Sequence, residues 1–255
     1  MGRQPFFSII VPTLLRDSLR ALLNSIHTQT FTDYELLVRY DPEVNEYVSR
    51  NRAIQDALGT YLVFRDDDTV FAPDHLQIAY DGIMEFKKVH GFLPVAVGGP
   101  LGGAKGGKVP YVTDEPNWGI GANMIFLASM LKELGGFREN WGVEPFRCWR
   151  CDTDIWWKCK EKFSDKMLWM HNLVVDHPGR MGGYFVPSEE VVFIETWKGN
   201  VMKYFVPIDP RIQHFMLYTQ KLTAEERAYV DKCRQELEKK MGKFKYNWVG
   251  GVVRG

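Results

Sequence analysis

Short apolar runs alternate with amphipathic segments along the first quarter of the chain. Residues 6–13 are apolar and β-branched up to a Pro-Thr pair, which is typical of a strand buried on both faces. In chain order the pattern predicts a strand over 6–13, a helix over 17–27, a strand over 34–40, a helix over 44–58 and a strand over 61–64. This succession predicts an α/β fold with a mostly parallel central sheet flanked by helices.

Glycines divide the rest of the chain. Gly59 follows the second predicted helix at a position where left-handed backbone is common. Residues 98–107 are so rich in glycine that we expect a long loop. Further elements are predicted as a strand over 123–127, helices over 129–134 and 152–163, a strand over 173–175 and a capped helix over 223–241. We therefore predict one domain over 1–205 and a C-terminal helical extension over 206–255.

Net charge and hydropathy argue against a nucleic-acid-binding protein and against a membrane-spanning one. The 255 residues carry 32 Lys+Arg and 32 Asp+Glu, so the net charge is +0, which argues against a nucleic-acid partner. No apolar run reaches the ~18 residues of a membrane span, and we expect a cytoplasmic protein without a transmembrane segment. The segment with Lys239, Lys240, Lys243 and Lys245 is expected to be a solvated helix, with peripheral contact to an anionic membrane or to a partner as the alternative.

The four cysteines are too few for a disulfide scaffold. They are Cys148, Cys151, Cys159 and Cys233. We expect free, partly buried thiols. A zinc site that uses Cys148, Cys151, Cys159 and His171 is the alternative, although no second closely spaced ligand pair follows.

Three consecutive carboxylates, Asp66, Asp67 and Asp68, come directly after the third predicted strand. Like charges this close repel one another unless a cation compensates them. Because ligands of open α/β sheets bind beyond the carboxyl ends of the strands, a hard divalent ion such as Mg²⁺ or Mn²⁺ is the favoured explanation. A solvated acidic turn is the alternative.

A set of short motifs occurs in fixed order along residues 6–205. The set comprises Ser8-Ile9-Ile10-Val11-Pro12-Thr13, Leu22-x-x-Ser25-Ile26-x-x-Gln29-Thr30, Tyr34-Glu35-Leu36-Leu37-Val38, Ser49-Arg50-Asn51-x-Ala53-Ile54, Ala57-x-Gly59-x-Tyr61, Asp66-x-Asp68, Gly121-x-Asn123, Gly135-Gly136-Phe137-Arg138-Glu139 and Asp152-x-Asp154-Ile155. In order and spacing it resembles the GT-A glycosyltransferases of family 2, with a nucleotide-binding half over about 1–100 and an acceptor half over about 101–205. The resemblance implies an inverting, metal-dependent transfer of a sugar from a nucleoside diphosphate, UDP by family frequency, to a hydroxyl of a glycan or another acceptor.

The resemblance also assigns roles on the donor side. Asp68 matches a ligand of Mn²⁺ or Mg²⁺, and Asp66 matches a second carboxylate at the ribose or the metal. His177 matches a late histidine that is a metal ligand in some relatives; a structural histidine is the alternative. The residues expected at the nucleotide are Pro12, Thr13, Asp41, Arg50, Asp66 and Asp67, and the alternative for Arg50 is a solvated arginine on a helix surface.

On the acceptor side, Asp152 matches the general base, and Asp154 is kept as a second candidate. The alternative for Asp152 is a helix N-cap. The residues expected near the acceptor are Trp118, Gly121, Asn123 and Trp149.

Two positions depart from the family pattern, because Cys151 replaces a glutamate and Arg65 replaces a common leucine. Arg65 would place a cation beside the acidic cluster, and its charge would compensate part of the carboxylate charge that a metal would otherwise neutralise. Two alternatives to the transferase stay open. One is a sugar nucleotidyltransferase, although its glycine-rich phosphate loop is missing after the first strand; the other is a catalytically silent module that binds nucleotide sugars or glycans.

Overall fold

The computed structural model describes residues 4–102, 121–140 and 150–177, together with Phe193, Thr196 and Trp197. The chain divides into two compact units, Met1–Glu139 with Cys151–Gly179 and Asn140–Arg150 with Arg180–Gly255. All helices and strands named below lie in the first unit. The predicted C-terminal extension over 206–255 lies outside the described residues, and its boundary stays a prediction.

Nine strands and five α-helices are described. The strands are β1 Phe7–Pro12, β2 Tyr34–Arg39, β3 Tyr61–Phe64, β4 Val70–Phe71, β5 Ala96–Gly98, β6 Leu101–Gly102, β7 Met124–Leu127, β8 Met167–Trp169 and β9 Val175–Asp176. The helices are α1 Leu19–His27, α2 Glu46–Asp56, α3 His75–His90, α4 Ala128–Glu133 and α5 Cys151–Phe163, with 3-10 turns at Gly121–Asn123 and Ser164–Lys166.

Six of these strands form one sheet in the order β2-β1-β3-β7-β5-β8. β1 is parallel to β2 and β3, and β5 is parallel to β8, whereas β7 is antiparallel to both of its neighbours. Every residue of β1 and β3 is buried, as expected for strands covered on both faces. The prediction of an α/β fold with a mostly parallel central sheet is confirmed.

A second sheet of three short strands has the order β4-β9-β6. β9 is antiparallel to β4 and parallel to β6. The sequence predicted a strand over 173–175, and the structure places it two residues later in β9. None of the three strands exceeds two residues, so their sequence carries almost no periodic signal.

Helix α2 begins at an N-cap that the sequence encodes locally. The Asn45 carboxamide oxygen accepts hydrogen bonds from the amides of Tyr47 and Val48 at 2.9 and 3.1 Å. Such a cap stabilises a helix by ~1 kcal/mol. The helix ends at Asp56 because Ala57 is extended.

Gly59 does not have the predicted left-handed backbone, because its φ is not among the positive values. A Cβ at Gly59 would instead lie 2.5 Å from the backbone nitrogen of Ser8. The amide of Gly59 donates to the Ser8 hydroxyl at 2.7 Å. Glycine is therefore required here by its close approach to β1.

The glycine-rich stretch is not a loop throughout. Gly98 closes β5, where a Cβ would lie 2.9 Å from the rings of Trp156 and Trp169, and Leu101–Gly102 form β6. The loop expectation is thus wrong for these residues, because absent side chains let neighbours pack against the strands. Residues 103–107 lie outside the described part. Within that described part, no helix combines the length and hydropathy that a membrane crossing requires.

Candidate donor and metal site

Polar residues that follow three neighbouring strands meet at one edge of the large sheet. Thr13 follows β1, Asp41 follows β2, and Asp66–Asp68 follow β3. Because these strands are parallel, their carboxyl ends share an edge. The Thr69 hydroxyl and amide both donate to the Asp66 carbonyl, at 2.7 and 3.2 Å, and so close the acidic turn.

Asp66, Asp68 and His177 form a compact cluster at this edge. Their possible ligand atoms all lie within 4.8 Å of one another. His177 Nε2 lies 3.2 Å from Asp68 Oδ1 and 3.7 Å from Asp66 Oδ2. Among the described residues this is the only group of three or more His, Cys, Asp or Glu side chains with such proximity. Two carboxylates and one imidazole suit a divalent ion such as Mn²⁺.

The small sheet brings His177 to the acidic turn. β4 starts at Val70, two residues after Asp68, and pairs with β9, which ends one residue before His177. The amide of His177 donates to the Gly102 carbonyl at 3.2 Å, which continues the β6–β9 ladder. The structure thus joins two segments that are more than 100 residues apart in the sequence.

Charge interactions shift the pKa of all three groups. Burial lowers the pKa of His177, but the hydrogen bond and charge of Asp66 and the charge of Asp68 outweigh it, so the net shift is upward. Burial raises the pKa of Asp66, yet His177 and Arg50 together bring it below its usual value. The pKa of Asp68 is raised by burial and by the neighbouring carboxylates. Burial and the neighbouring carboxylates both disfavour the charged form of Asp68, and a divalent cation beside it would offset both effects.

Arg50 lies behind Asp66 and is almost completely buried, with 1% of its side chain exposed. One guanidinium nitrogen donates to Asp66 Oδ1 at 2.5 Å, and another donates to the Gly121 carbonyl at 3.4 Å. The guanidinium also lies 5.2–5.8 Å from the rings of Tyr47, Phe64 and Phe137. The alternative of a solvated arginine on a helix surface is wrong, because α2 turns this face toward the core. A contact of Arg50 with the nucleotide stays a prediction.

Asp67 points away from the metal cluster. The Thr13 hydroxyl donates to Asp67 Oδ2 at 2.7 Å, and Arg16 lies 3.5 Å from Asp67 Oδ1. The same hydroxyl accepts a hydrogen bond from the amide of Leu15 at 2.8 Å. Pro12 is buried at the end of β1. Asp67 and Thr13 thus shape the loop after β1, and their contact with a nucleotide is untested.

Asp41 is surrounded by polar side chains of α2. Ser49 donates to Asp41 Oδ2 at 2.7 Å, and Arg52 donates to Asp41 Oδ1 at 3.0 Å. Burial raises the pKa of Asp41, but these two hydrogen bonds and the charge of Arg39 bring it below its usual value. Sequence analysis missed Ser49 and Arg52 as supports of this carboxylate. Their i, i+3 spacing on a predicted helix was the available signal.

The two candidate bases differ in their surroundings. Asp152 is half-buried at the start of α5, and its Oδ2 accepts a hydrogen bond from the amide of Gly121 at 3.1 Å. Asp154 is fully buried, with Lys158 Nζ 2.8 Å from Oδ2 and Arg138 Nε 3.4 Å from Oδ1. α5 begins at Cys151, so Asp152 lies within its first turn and the alternative of an N-cap is wrong; Asp152 Oδ1 accepts a hydrogen bond from the amide of the next residue, Thr153.

The residues expected near the acceptor are placed as follows. Gly121 links Arg50 and Asp152 through its backbone. Asn123 is completely buried, and its amide nitrogen donates to the carbonyls of Pro100 and Leu173 at 3.2 and 2.7 Å. Asn123 thus joins segments of the two sheets. Trp118 and Trp149 lie outside the described residues.

Arg65 does not neutralise the acidic cluster by direct contact. Its guanidinium donates to the Phe64 carbonyl and meets His75, each at 2.6 Å, and it forms no ion pair with Asp66. Its charge lowers the pKa of Asp66 only as a minor contribution after those of His177 and Arg50. Arg65 therefore does not replace a metal ion by direct contact with the carboxylates, contrary to the expectation from the sequence.

The cysteines do not assemble a zinc site in the described part of the chain. Cys159 is free and buried, and burial raises the pKa of its thiol to about 12. Cys151 is disulfide-bonded, so the free-thiol expectation holds for Cys159 and is wrong for Cys151. Cys148 and Cys233 lie outside the described residues.

Comparison with known proteins supports the fold. No protein-family model and no curated protein sequence matches the chain. The chain is similar to the structure of S. aureus TarS, with a TM-score of 0.57 and 16% identity over 94% of this chain and 44% of that one. The chain has a GT-A-like fold. It thus spans less than half the length of this TarS chain.

Two further similar structures are complexes with UDP-GlcNAc or with GDP-Man and Mn²⁺. TarS 1–349 in complex with UDP-GlcNAc has a TM-score of 0.53 and 16% identity, over 91% of this chain and 72% of that one. The mannosyltransferase PcManGT from Pyrobaculum calidifontis, in complex with GDP-Man and Mn²⁺, has a TM-score of 0.51 and 14% identity, over 96% of this chain and 78% of that one. At these identities the similarity shows the fold, and function depends on the site itself.

Proposed function

We propose that this protein is a metal-dependent, inverting glycosyltransferase. It transfers a sugar from a nucleoside diphosphate, UDP in the first place, to a hydroxyl of a glycan or another acceptor. The observation that carries this proposal is the Asp66–Asp68–His177 cluster at the carboxyl end of β3. In a fold of this kind that edge is where a ligand binds, and the cluster has the composition of a divalent metal site.

The residues present fit such an ion. Arg50 holds Asp66 Oδ1, which leaves Asp66 Oδ2 facing His177 and Asp68. His177 Nδ1 is buried without a hydrogen-bond partner, while Nε2 points at both carboxylates. A bound Mn²⁺ or Mg²⁺ would supply Lewis-acid stabilisation of the departing diphosphate. The imidazole favours Mn²⁺ over Mg²⁺.

The chemical step is a single displacement at the anomeric carbon. A bond forms between the acceptor oxygen and that carbon, the bond to the β-phosphate oxygen breaks, and the nucleoside diphosphate leaves with the electron pair. The acceptor proton passes to Asp152, which is half-buried at the start of α5, whereas Asp154 is fully buried and lies 2.8 Å from Lys158 Nζ. Asp152 is therefore the proposed base, and Asp154 supports the start of α5.

On the donor side, we assign Asp41 to recognition of the nucleotide base. It lies beyond β2, at the same edge as the acidic turn, and Ser49 and Arg52 fix its two oxygens. A carboxylate accepts hydrogen bonds from the N–H groups of a nucleobase. This role is independent of the metal site and can be tested separately.

The deciding experiment is a calorimetric titration of UDP, GDP and dTDP into the protein, with and without Mn²⁺. We expect one nucleotide to bind in a metal-dependent manner and this binding to disappear in Asp68→Ala. Asp165→Ala is the matched control, because Asp165 is an exposed aspartate in the turn after α5. The nucleotide that binds then names the sugar donor for a turnover assay.

Different outcomes separate the alternatives. If no nucleotide binds under either condition, the sugar-nucleotide proposal fails and the three aspartates form an acidic turn only. If a nucleotide binds but neither transfer nor donor hydrolysis occurs with a broad acceptor panel, the protein is a silent binding module. Release of pyrophosphate from a nucleoside triphosphate and a sugar phosphate would indicate a nucleotidyltransferase.

A further inference from the structure

Arg65 is a buried cation immediately before the acidic turn. Its side chain is completely buried, and its guanidinium contacts the Phe64 carbonyl, His75 and the ring of Phe71 rather than a carboxylate. Burial lowers the pKa of Arg65 to about 9. A buried arginine without a carboxylate partner costs stability, so its position calls for another explanation.

His75 connects Arg65 to a distant segment. Arg65 donates to His75 Nε2 at 2.6 Å, and His75 Nδ1 lies 3.1 Å from the Val174 carbonyl. Because arginine only donates and a carbonyl only accepts, Nε2 must be the acceptor and Nδ1 must carry the proton. Burial and the charge of Arg65 lower the pKa of His75 well below its usual value, which keeps this neutral form.

The two ends of this connection are next to the metal ligands. Arg65 precedes Asp66 by one residue, and Val174 precedes His177 by three residues. Between them the β4–β9 ladder contains only two residue pairs. So short a ladder gives little resistance to sliding or separation of the two segments. The hydrogen bonds from Arg65 through His75 to Val174 would hold the two segments together where the β4–β9 ladder is too short to do so.

We propose that Arg65 and His75 are positioning residues, which hold the segment of Asp66 and Asp68 at a set distance from the segment of His177. The inference rests on the proposed metal site and deepens it. Arg65 and His75 touch neither metal nor substrate; they act through the backbone at Phe64 and Val174. Supports of this kind typically change metal affinity about 10-fold to 100-fold when removed.

The test compares Mn²⁺ affinity with folding stability. Arg65→Met and His75→Phe keep the volume and remove the polar connection, and each is titrated with Mn²⁺ alone by calorimetry and melted without metal. We expect each variant to bind Mn²⁺ about tenfold more weakly than the wild type. The double variant should bind no more weakly than either single variant, because both remove the same connection.

Thermal stability should behave differently from metal affinity. His75→Phe leaves a buried cation without its acceptor and should lower the Tm, whereas the double variant removes the charge as well and should recover it. If Arg65 and His75 only stabilised the fold, Mn²⁺ affinity would recover in the double variant together with the Tm. A recovered Tm with weakened Mn²⁺ binding therefore supports the positioning role. Tyr61→Phe is the control, because it removes a buried hydrogen bond to the Pro94 carbonyl at the opposite end of β3.

The outcomes also separate this inference from the proposed function. If the wild type binds Mn²⁺ and both single variants bind it within twofold of the wild type, the positioning role is overturned and the metal site stands. Metal affinity that recovers together with Tm in the double variant would overturn it as well. If the wild type binds no Mn²⁺, the metal site and the positioning role fail together.

Discussion

The acidic segment after β3 and the start of α5 each contain an Asp-x-Asp pair, but the two pairs differ in their surroundings. Asp154, in α5, is fully buried, and its two carboxylate oxygens lie 2.8 Å from Lys158 Nζ and 3.4 Å from Arg138 Nε. Asp68, after β3, has 21% of its side chain exposed, and its ion-pair partner among the described residues is the imidazole of His177. Neutralised carboxylates support a structure, whereas a partly exposed surplus of negative charge favours the binding of a cation.

The proposed function gives the carboxylates of two similar motifs different roles. Asp66-x-Asp68 and Asp152-x-Asp154 have the same spacing. In each motif one carboxylate is held by an arginine, Asp66 by Arg50 and Asp154 by Arg138. In the proposed function the other carboxylate is Asp68, a metal ligand beside Asp66, or Asp152, the base. Substitutions at these positions therefore test the comparison directly.

The largest effect is expected at the proposed base. Asp152→Asn should lower the turnover of the sugar nucleotide by about 10²-fold to 10⁴-fold, because the amide cannot accept the acceptor proton. Nucleotide affinity in the presence of Mn²⁺ should stay near that of the wild type. Initial rates of donor hydrolysis or transfer measure the effect, with Asp165→Asn as control. Full activity in Asp152→Asn would exclude Asp152 as the base.

Asp154→Asn should instead act on stability. It removes the buried anion that Lys158 and Arg138 contact, and we expect a loss of about 1–3 kcal/mol in the free energy of unfolding, because the two cations are partly exposed and water can solvate them. Urea denaturation of Asp154→Asn and Asp152→Asn side by side measures the difference. Equal stability of the two variants would contradict the structural role of Asp154.

Within the acidic turn, Asp67 should behave as a supported carboxylate. Thr13→Val keeps the shape of the side chain but removes its hydrogen bonds to Asp67 and to the amide of Leu15. We expect a loss of about 1–2 kcal/mol in the free energy of unfolding. Thr28→Val is the control, since the Thr28 hydroxyl donates a longer hydrogen bond at the exposed end of α1. If Thr13→Val loses no more free energy of unfolding than Thr28→Val, the Thr13 hydroxyl does not support Asp67.

The smallest effect is expected from pH in the metal-free protein. The carboxylates of Asp66 and Asp68 raise the pKa of His177 above its unfolded value despite burial. The resulting stabilisation is fully present below pH ~6.5 and is lost as the pH rises through the folded pKa. His177→Asn should lack this decline. Urea denaturation of the wild type and His177→Asn at several pH values measures this decline. If the stability of both proteins depends on pH in the same way, His177 does not gain stability from Asp66 and Asp68.

Mn²⁺ affinity should follow the opposite trend with pH. A metal ligand must be the neutral imidazole, so protons compete with the ion and affinity should rise as the pH increases through the pKa of His177. Calorimetric titration at several pH values measures this rise. Affinity independent of pH would remove His177 from the ligand set.

The regular elements of the first 65 residues could be predicted from the sequence. The apolar runs of β1 and β3 and the face of α1 follow local periodicity, and Asn45 marks the start of α2. The α/β class follows from their order. α3 was not predicted, although its 16 residues form the longest described helix, and β7 was not expected to be antiparallel. Strand direction depends on the path of the connections, which the period of a segment does not reveal.

The candidate site divides in the same way. The sequence alone placed Asp66, Asp67 and Asp68 after a buried strand. Side-chain charge and the periodicity of a strand both depend only on residues that are neighbours in the sequence. Tertiary structure decided which carboxylate meets which cation. It turned Arg50 into the core behind Asp66, and it brought His177 to Asp68 through strands too short to carry a periodic signal. Contacts between segments more than 100 residues apart depend on packing that no local pattern specifies.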